Sequence, residues 1–278
     1  MTGYREWSPA GPVGGLLECA WQARAGSDGA REQRVLPDGC MDLLVLDGRL
    51  LVAGADTAAH TATPAPGSVR TGLRFRPGVL PALLGVPADE LRNRRVELAD
   101  LPGPAEMRMS VPRDALDDRG GHLGGARVPG ARHEAITTVA AGTGIGVARE
   151  ACGPGSVAAL LVDTAARLAA AAGSGRRPLP LPLPRWALGA LARGAATADV
   201  ADRLGVTTRT LHRTCTATLG YGPSVARRVL RFRAAAALLH AGVAPADVAY
   251  RTGYADQPHL SREVRALAGV SPRVLAAG

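Results

Sequence analysis

Residues 246–263, ADVAYRTGYADQPHLSRE, decide how the C-terminal part of this chain is interpreted. Val248 and Ala249 place apolar side chains on one side of a short helix, and Gly253 can adopt the left-handed conformation that ends a helix. Asp256 can cap the next helix, because its carboxylate can accept hydrogen bonds from the free N–H groups of the first turn. The segment therefore predicts two short helices joined by a tight turn.

The same pattern occurs a second time in residues 197–215, TADVADRLGVTTRTLHRTC. Thr207 takes the capping position, and Arg213 matches Arg262 at an offset of 262 − 213 = 49 residues. We therefore predict two helix-turn-helix units in tandem. The second helix of such a unit enters the major groove of double-stranded DNA, so two units predict contact with two successive grooves, roughly 34 Å apart.

The outward side chains of the two second helices are the candidate base contacts. Arginine can hold guanine O6 and N7 through two hydrogen bonds and glutamine suits adenine, whereas serine and histidine can serve base edges or phosphates. These candidates are Arg209, Thr210, His212, Arg213, Gln257, His259, Ser261 and Arg262. Contacts to phosphate, or capping of a helix, are expected for Thr207, Arg228 and Asp256. The arginines could instead contact phosphates or form salt bridges within the fold, and the two histidines could be ordinary surface residues.

Residues 185–278 resemble the DNA-binding domain of the AraC/XylS family of bacterial transcription regulators, through residues 253–263, 269–272 and 231–239. The resemblance implies an all-α domain in which a long helix joins two helix-turn-helix units. It also implies a regulator that is more often an activator than a repressor, with RNA polymerase as a partner. The sequence departs from the family at three positions that usually hold an aromatic residue, namely Cys215, Val264 and Leu275.

Charge is distributed unevenly along the 278 residues, in which all 33 basic residues are arginine. Residues 185–278 hold 13 arginines and 5 acids, a net charge of +8, whereas residues 1–184 hold 20 arginines and 19 acids, a net charge of +1. The positive charge therefore lies almost entirely in the predicted DNA-binding domain, as contact with phosphates requires.

Targeting and metal-binding patterns are absent from the sequence. The N-terminus has no apolar core of a secretory signal, and no apolar run is long enough for a membrane span. The four cysteines lack the paired spacing of a metal site. We therefore expect a reduced cytoplasmic protein that binds no cofactor, no metal and no membrane.

Residues 1–102 predict a small β-rich domain. Asp47 and Gly48 lie between two apolar runs and favour a hairpin, because both turn residues need a positive φ. Further strands are expected at residues 16–24 and 68–76, and short helices at 80–84 and 89–94.

This N-terminal part resembles a domain found in a subset of AraC-type regulators, many of them actinobacterial, through residues 36–43 and 72–78. The resemblance implies a small barrel-like domain for sensing or dimerisation. The predicted fold is thus α+β and multidomain, with a barrel-like N-terminal domain and an all-α C-terminal domain.

Residues 103–184 are interpreted as a linker with amphipathic helices. Residues 131–150 are expected to be partly helical, and Ser156 can cap a helix whose apolar stripe includes Leu161 and Leu168. That stripe could form a dimer interface or pack onto its own domain. The glycines and prolines of residues 173–184 favour an extended spacer before the DNA-binding domain.

Trp21, Asp42 and Arg74 are candidates for lining a small-molecule effector pocket in the N-terminal domain, although a place in the hydrophobic core fits Trp21 equally well. No residue is predicted to be catalytic. One alternative function is a DNA-directed alkyl-transfer repair enzyme, which would need an activated cysteine such as Cys19 or Cys40. Another is an effector-binding protein with only non-specific affinity for DNA.

Overall fold

The computed structural model describes residues 3–9, 11, 13–27, 32–102, 156–172 and 180–277. The helical segment expected within residues 131–150 and the first part of the expected spacer, residues 173–179, lie outside these ranges.

Eight strands build the N-terminal part. In chain order they are β1 (Gly3–Trp7), β2 (Leu17–Arg24), β3 (Gln33–Val35), β4 (Met41–Leu46), β5 (Arg49–Ala53), β6 (His60–Ala62), β7 (Val69–Phe75) and β8 (Arg95–Glu97). Six of them form one antiparallel sheet in the order β1-β2-β7-β4-β5-β8, and β3 pairs with β6. The larger sheet is open, with β1 and β8 at its edges, so the predicted barrel-like domain is a sheet that does not close on itself.

The hairpin predicted at Asp47 and Gly48 is confirmed. Asp47 has a φ of 50° and Gly48 a φ of 75°, and they connect β4 to β5 with Leu46 opposite Arg49. Alternation along β4 turns Met41 and Val45 toward the apolar core, whereas Asp42 faces the other side of the sheet. The two faces of this sheet therefore carry different chemistry.

In the part of the chain that the structure describes, three helices and two short 3₁₀ turns accompany the sheet. The helices are α1 (Val79–Leu84), α2 (Ala88–Leu91) and α3 (Val157–Ala171), and the turns are Gly14–Leu16 and Leu98–Asp100. The helix predicted over residues 89–94 is shorter than expected, because Asn93 adopts a φ of 57° and the chain turns there to form β8.

Helix α3 confirms the predicted cap and stripe. The backbone N–H of Ala159 donates to Ser156 Oγ at 3.2 Å. Leu161, Ala165 and Leu168 are buried in the core beneath β4 and β7. Of the two interpretations of the stripe, packing onto its own domain is the one that the structure shows.

Seven helices form the C-terminal part: α4 (Arg185–Ala192), α5 (Thr197–Leu204), α6 (Thr208–Leu219), α7 (Pro223–His240), α8 (Pro245–Arg251), α9 (Gln257–Ala268) and α10 (Pro272–Ala276). Helices α5 and α6 form the first helix-turn-helix unit, and α8 and α9 form the second. The 18-residue α7 joins them. Helices α6 and α9 both have 12 residues and begin 257 − 208 = 49 positions apart, which confirms the predicted tandem repeat.

The first unit shares one hydrophobic core with the N-terminal sheet. Leu80 of α1, Leu211 and Leu219 of α6 and Val229 of α7 belong to the same buried cluster as Leu43 of β4. The second unit has a core of its own, formed by residues such as Phe232, Leu239, Leu260 and Val264, to which the N-terminal part adds Leu36.

Polar contacts add to this junction between the two parts. Arg92 Nη1 donates to the carbonyl of Gly220 at 3.2 Å, and Arg233 Nη2 donates to Glu18 Oε2 at 3.2 Å. The N-terminal part also reaches the second unit, since the Ala59 N–H donates to the carbonyl oxygen of Leu267 at 2.7 Å. None of the helices in the described ranges is both long and apolar enough to cross a membrane.

Candidate nucleic-acid interface

The turns and caps of the two units are equivalent. Gly205 and Gly253 adopt left-handed φ values of 68° and 74° between the two helices of their units. Thr207 Oγ1 accepts from the N–H of Thr210 at 3.1 Å, and Asp256 Oδ1 accepts from the N–H of His259 at 2.6 Å. The capping roles of Thr207 and Asp256 are thus observed, and they fix where α6 and α9 begin.

The inner sides of α6 and α9 are buried in equivalent ways. Leu211 and Leu260 are 1% and 0% exposed, and Cys215 and Val264 are both fully buried. Leu275, the third departure from the family pattern, is also buried. The smaller residues at these positions are still buried in the cores of their units.

The three arginines predicted on the outer sides of α6 and α9 are available to a ligand. Arg209, Arg213 and Arg262 are exposed, and within the described ranges none of them makes a hydrogen bond or an ion pair. Arg213 and Arg262 hold equivalent positions in the repeat. Contact between these guanidinium groups and DNA bases stays a prediction.

The polar candidates beside these arginines differ in how far their side chains are already engaged in contacts within the fold. The hydroxyl of Thr210 lies 3.0 Å from that of Thr207, so it is engaged in the cap. His212 packs on Gly222, where an added Cβ would lie 2.5 Å from the imidazole Nε2. Gln257 is exposed and Ser261 is half-buried.

His259 has a structural role beside its predicted one. Its Nδ1 accepts from the N–H of Ala255 at 3.4 Å, and its ring meets that of Tyr254 edge-on with the centroids 5.3 Å apart. The imidazole therefore helps to hold the turn that precedes α9, and a contact to DNA is expected only from its exposed edge.

Arginines of α7 tie this helix to the second unit. Arg228 Nε donates to Glu263 Oε2 at 2.7 Å. Arg231 donates to the carbonyl of Gly253 at 3.3 Å, and its guanidinium lies 4.3 Å from the ring centroid of Tyr254. These contacts orient α9 on α7, and a phosphate contact by Arg228 stays a prediction.

A cleft of about 980 Å³ lies beside α6. Its lining includes Thr208, Arg209, His212, Arg213 and Thr216 of α6 together with Pro223 and Ser224 of α7. The N-terminal part also lines this cleft, through Pro87 and Asp89. No local pattern in the sequence indicates that these two residues stand next to a DNA-reading helix, because their position depends on the packing of the two parts.

The structure brings together the three predicted effector residues on the outer face of the sheet. Trp21 Nε1 donates to Asp42 Oδ2 at 3.0 Å, and Arg74 Nε donates to Asp42 Oδ1 at 3.4 Å. Arg74 also pairs with Asp38 at 3.3 Å and with Glu6 at 3.6 Å. The side chains satisfy one another in a nearly buried cluster.

Burial and neighbouring charges act in opposite directions on the ionisation of this cluster. Burial raises the pKa of Asp42 to about 6, against the opposing effect of Arg74. For Arg74 burial disfavours the charge, but the carboxylates of Asp42 and Asp38 raise the pKa of the guanidinium well above its usual range. A second cleft of about 530 Å³ lies at the junction of the two parts, lined by Glu18, Pro77 and residues of α4 and α7.

The three cysteines in the described ranges do not resemble activated nucleophiles. Cys19, Cys40 and Cys215 are free and buried. Burial is the main cause that raises the thiol pKa of each, so these groups are thiols rather than thiolates at neutral pH. Within the described ranges no three histidine, cysteine or acidic residues are grouped as a metal site would need. These observations give no support to the alkyl-transfer alternative.

Two family models match separate parts of the chain. One is described as a helix-turn-helix domain and matches residues 200–277. The other is described as a domain of unknown function and matches residues 5–97. The C-terminal part thus carries a helix-turn-helix domain of the AraC type. The matched residues contain both units, α5–α6 and α8–α9, apart from the first three residues of α5.

Solved structures of ToxT from Vibrio cholerae are similar to this chain at a low level. ToxT from strain O395 shares 8% identity at a TM-score of 0.41, covering 100% of this chain and 96% of that chain. Unsaturated fatty acid-bound wild-type ToxT from strain SCE256 shares 9% identity at a TM-score of 0.42, covering 99% and 94%. No curated protein sequence matches the chain significantly. No functional residue is carried over from similarity at this level.

Proposed function

We propose that this regulator reads two adjacent major-groove segments of double-stranded DNA, one with α6 and one with α9, and that it acts as an activator. The observation that carries the proposal is the pair of equivalent 12-residue helices, each with an exposed arginine that has no partner in the described ranges. The net charge of +8 on residues 185–278 supports it, since phosphate binding depends on such charge.

Effector control belongs to the same proposal. The predicted effector residues Trp21, Asp42 and Arg74 satisfy one another, so a ligand there would have to displace existing contacts. The cleft of about 530 Å³ at the junction has room for a small molecule, and an effector bound there would contact both parts at once. An effector can shift the regulator between two states only if it binds them with different affinity. RNA polymerase and a second copy of the chain are proposed partners of the activator.

The test of two-groove reading is a double-mutant cycle on Arg213 and Arg262. If both units engage one duplex, Arg213→Ala and Arg262→Ala each weaken DNA binding by roughly tenfold or more. The affinity of the double variant should then fall by the product of the two separate factors, because the two sites are independent. If only one unit binds, one of the two variants is silent. Arg273→Ala, an exposed arginine of α10, is the matched control and should bind like the unaltered protein.

A further inference from the structure

The N-terminal part places a carboxylate in the cleft of the first recognition helix, α6. Asp89 is exposed and makes no hydrogen bond or ion pair in the described part of the chain. Of the described residues that line this cleft, Asp89 is the acidic one, whereas Arg209 and Arg213 supply positive charge. A negative charge at this place repels phosphates and therefore opposes the DNA binding proposed for α6.

Asp89 is held in this position by contacts to the end of α6. Ala88 is fully buried, and its carbonyl oxygen packs so closely on Gly220 that an added Cβ there would lie 3.2 Å away. Gly220 also has a φ of 84°, which disfavours any other residue. Arg92 Nη1 closes the contact by donating to the carbonyl of Gly220 at 3.2 Å. The carboxylate therefore stays near α6 rather than on a free loop.

The size of the cleft decides where a duplex must lie. A volume of about 980 Å³ is that of a small-molecule site, roughly 300–1,000 Å³, and it does not hold a DNA duplex. A duplex that brings base edges to Arg209 and Arg213 must therefore lie across the mouth of the cleft. We expect phosphates of such a duplex to lie near Asp89, whose charge acts over a Debye length of about 10 Å at 0.1 M salt.

We infer that Asp89 is an electrostatic restraint by which the N-terminal part lowers the affinity of the first unit for DNA. The inference rests on the proposed function, because it needs α6 to read DNA. The repulsion between the carboxylate and the phosphates weakens the binding of a duplex at α6 while the N-terminal part keeps its place on the shared core. Regulation of DNA binding by this part can then act through the position of α2.

The experiment compares charge variants of the full chain for binding to duplexes of mixed sequence, measured by fluorescence anisotropy. Asp89→Asn should bind about three- to tenfold more tightly at roughly 50 mM salt, and Asp89→Arg more tightly still. The gain should shrink at roughly 300 mM salt, because exposed charges are screened. Asp100→Asn, which removes an exposed acid of the same part outside the cleft, should stay within about twofold of the unaltered protein.

Each outcome of this experiment supports or contradicts the inference. Equal gains for Asp89→Asn and Asp100→Asn would reduce the effect to net charge and contradict the inference. Unchanged or weaker binding by Asp89→Asn would contradict it as well. Absence of DNA binding by every variant would contradict the proposed function, whereas unchanged binding by Asp89→Asn in a chain that binds DNA contradicts the inference alone. Circular dichroism checks that all variants are folded.

Discussion

At the scale of single residues, the equivalent arginines of the two units carry the proposal of base reading. Arg213 and Arg262 are exposed, and Leu211 and Leu260 anchor their helices from the inner side. A guanidinium group that contacts a base differs from one that contacts a phosphate, because only the first depends on two parallel hydrogen bonds in one plane. Substitution by lysine separates the two roles, since lysine keeps the charge and loses the planar pair of donors.

We expect Arg262→Lys to lose discrimination at one base pair by about 1–3 kcal/mol while affinity for mixed-sequence duplexes changes little. The measurement is competition binding with single-base variants of a selected site. Arg273→Lys on α10 serves as the matched control. An equal loss over all sequences would show that Arg262 contacts phosphate.

Asp42 is the second residue whose chemistry leads to a measurable result. Its pKa is raised to about 6 by burial, so the folded chain binds this proton more tightly than the unfolded chain does. Its contribution to stability is therefore largest at acidic pH and is lost as the pH rises from the ordinary carboxyl value toward 6. Asparagine has the same shape and keeps an acceptor for Trp21 Nε1, but it cannot ionise.

We expect Asp42→Asn to be more stable than the unaltered protein at pH 7 by about 2 kcal/mol, with the difference disappearing near pH 4. Urea unfolding at the two pH values measures the effect. A difference of the same size at both pH values would show that ionisation of Asp42 is not its cause. Asp100→Asn controls for the loss of an acidic group from the surface.

At the scale of elements, the caps and turns explain why the tandem units could be predicted from the sequence. Each depends on residues within a few positions of one another, such as Thr207 with Thr210 and Asp256 with His259. The hairpin at Asp47 is local in the same way. Local signals of this kind survive in the fold because no distant contact competes with them.

Other features could not be predicted because they depend on distant packing. The open sheet follows from which strands pair, and β7 lies between β2 and β4 although it is far from both in the sequence. The early end of α2 follows from the pairing of β8 with β5. Asp89 enters the cleft of α6 only because the two parts pack together. The predicted effector residues did come together, since Asp42 lies opposite Arg74 in adjacent strands.

The cap of α6 provides a prediction at this scale. Thr207→Ala should lower the free energy of unfolding by about 1 kcal/mol, because the N–H of Thr210 loses its acceptor. Thr208→Ala, at the neighbouring exposed position without a capping role, should change it by less than about 0.5 kcal/mol. Urea unfolding compares the two. Equal effects would mean that the cap adds nothing to the stability of the unit.

At the scale of the whole molecule, the shared core makes the first unit part of the same folding unit as the N-terminal sheet. Leu80 of α1 packs in the cluster that also holds Leu211 of α6 and Leu43 of β4. Leu239 lies instead in the separate core of the second unit. The two units are therefore coupled to the N-terminal part to different degrees, which agrees with the proposed restraint of the first unit by that part.

We expect Leu80→Ala to lower the free energy of unfolding by about 2–5 kcal/mol. Hydrogen exchange should increase in both β4 and α6, because both pack in the buried cluster that contains Leu80. Leu239→Ala is the matched change in the other core and should act mainly on α8 and α9. Hydrogen–deuterium exchange of the full chain measures both variants. Unchanged exchange in α6 of the Leu80→Ala variant would show that the junction is not a shared core in solution.

The most direct test of the central claim is selection of bound duplexes from a random DNA pool by the full-length protein at physiological salt. The proposed function predicts enrichment of two short half-motifs about one helical turn apart, one for α6 and one for α9. Binding that is sensitive to salt but blind to sequence, with no enriched motif, would contradict it and favour a protein with only non-specific affinity for DNA.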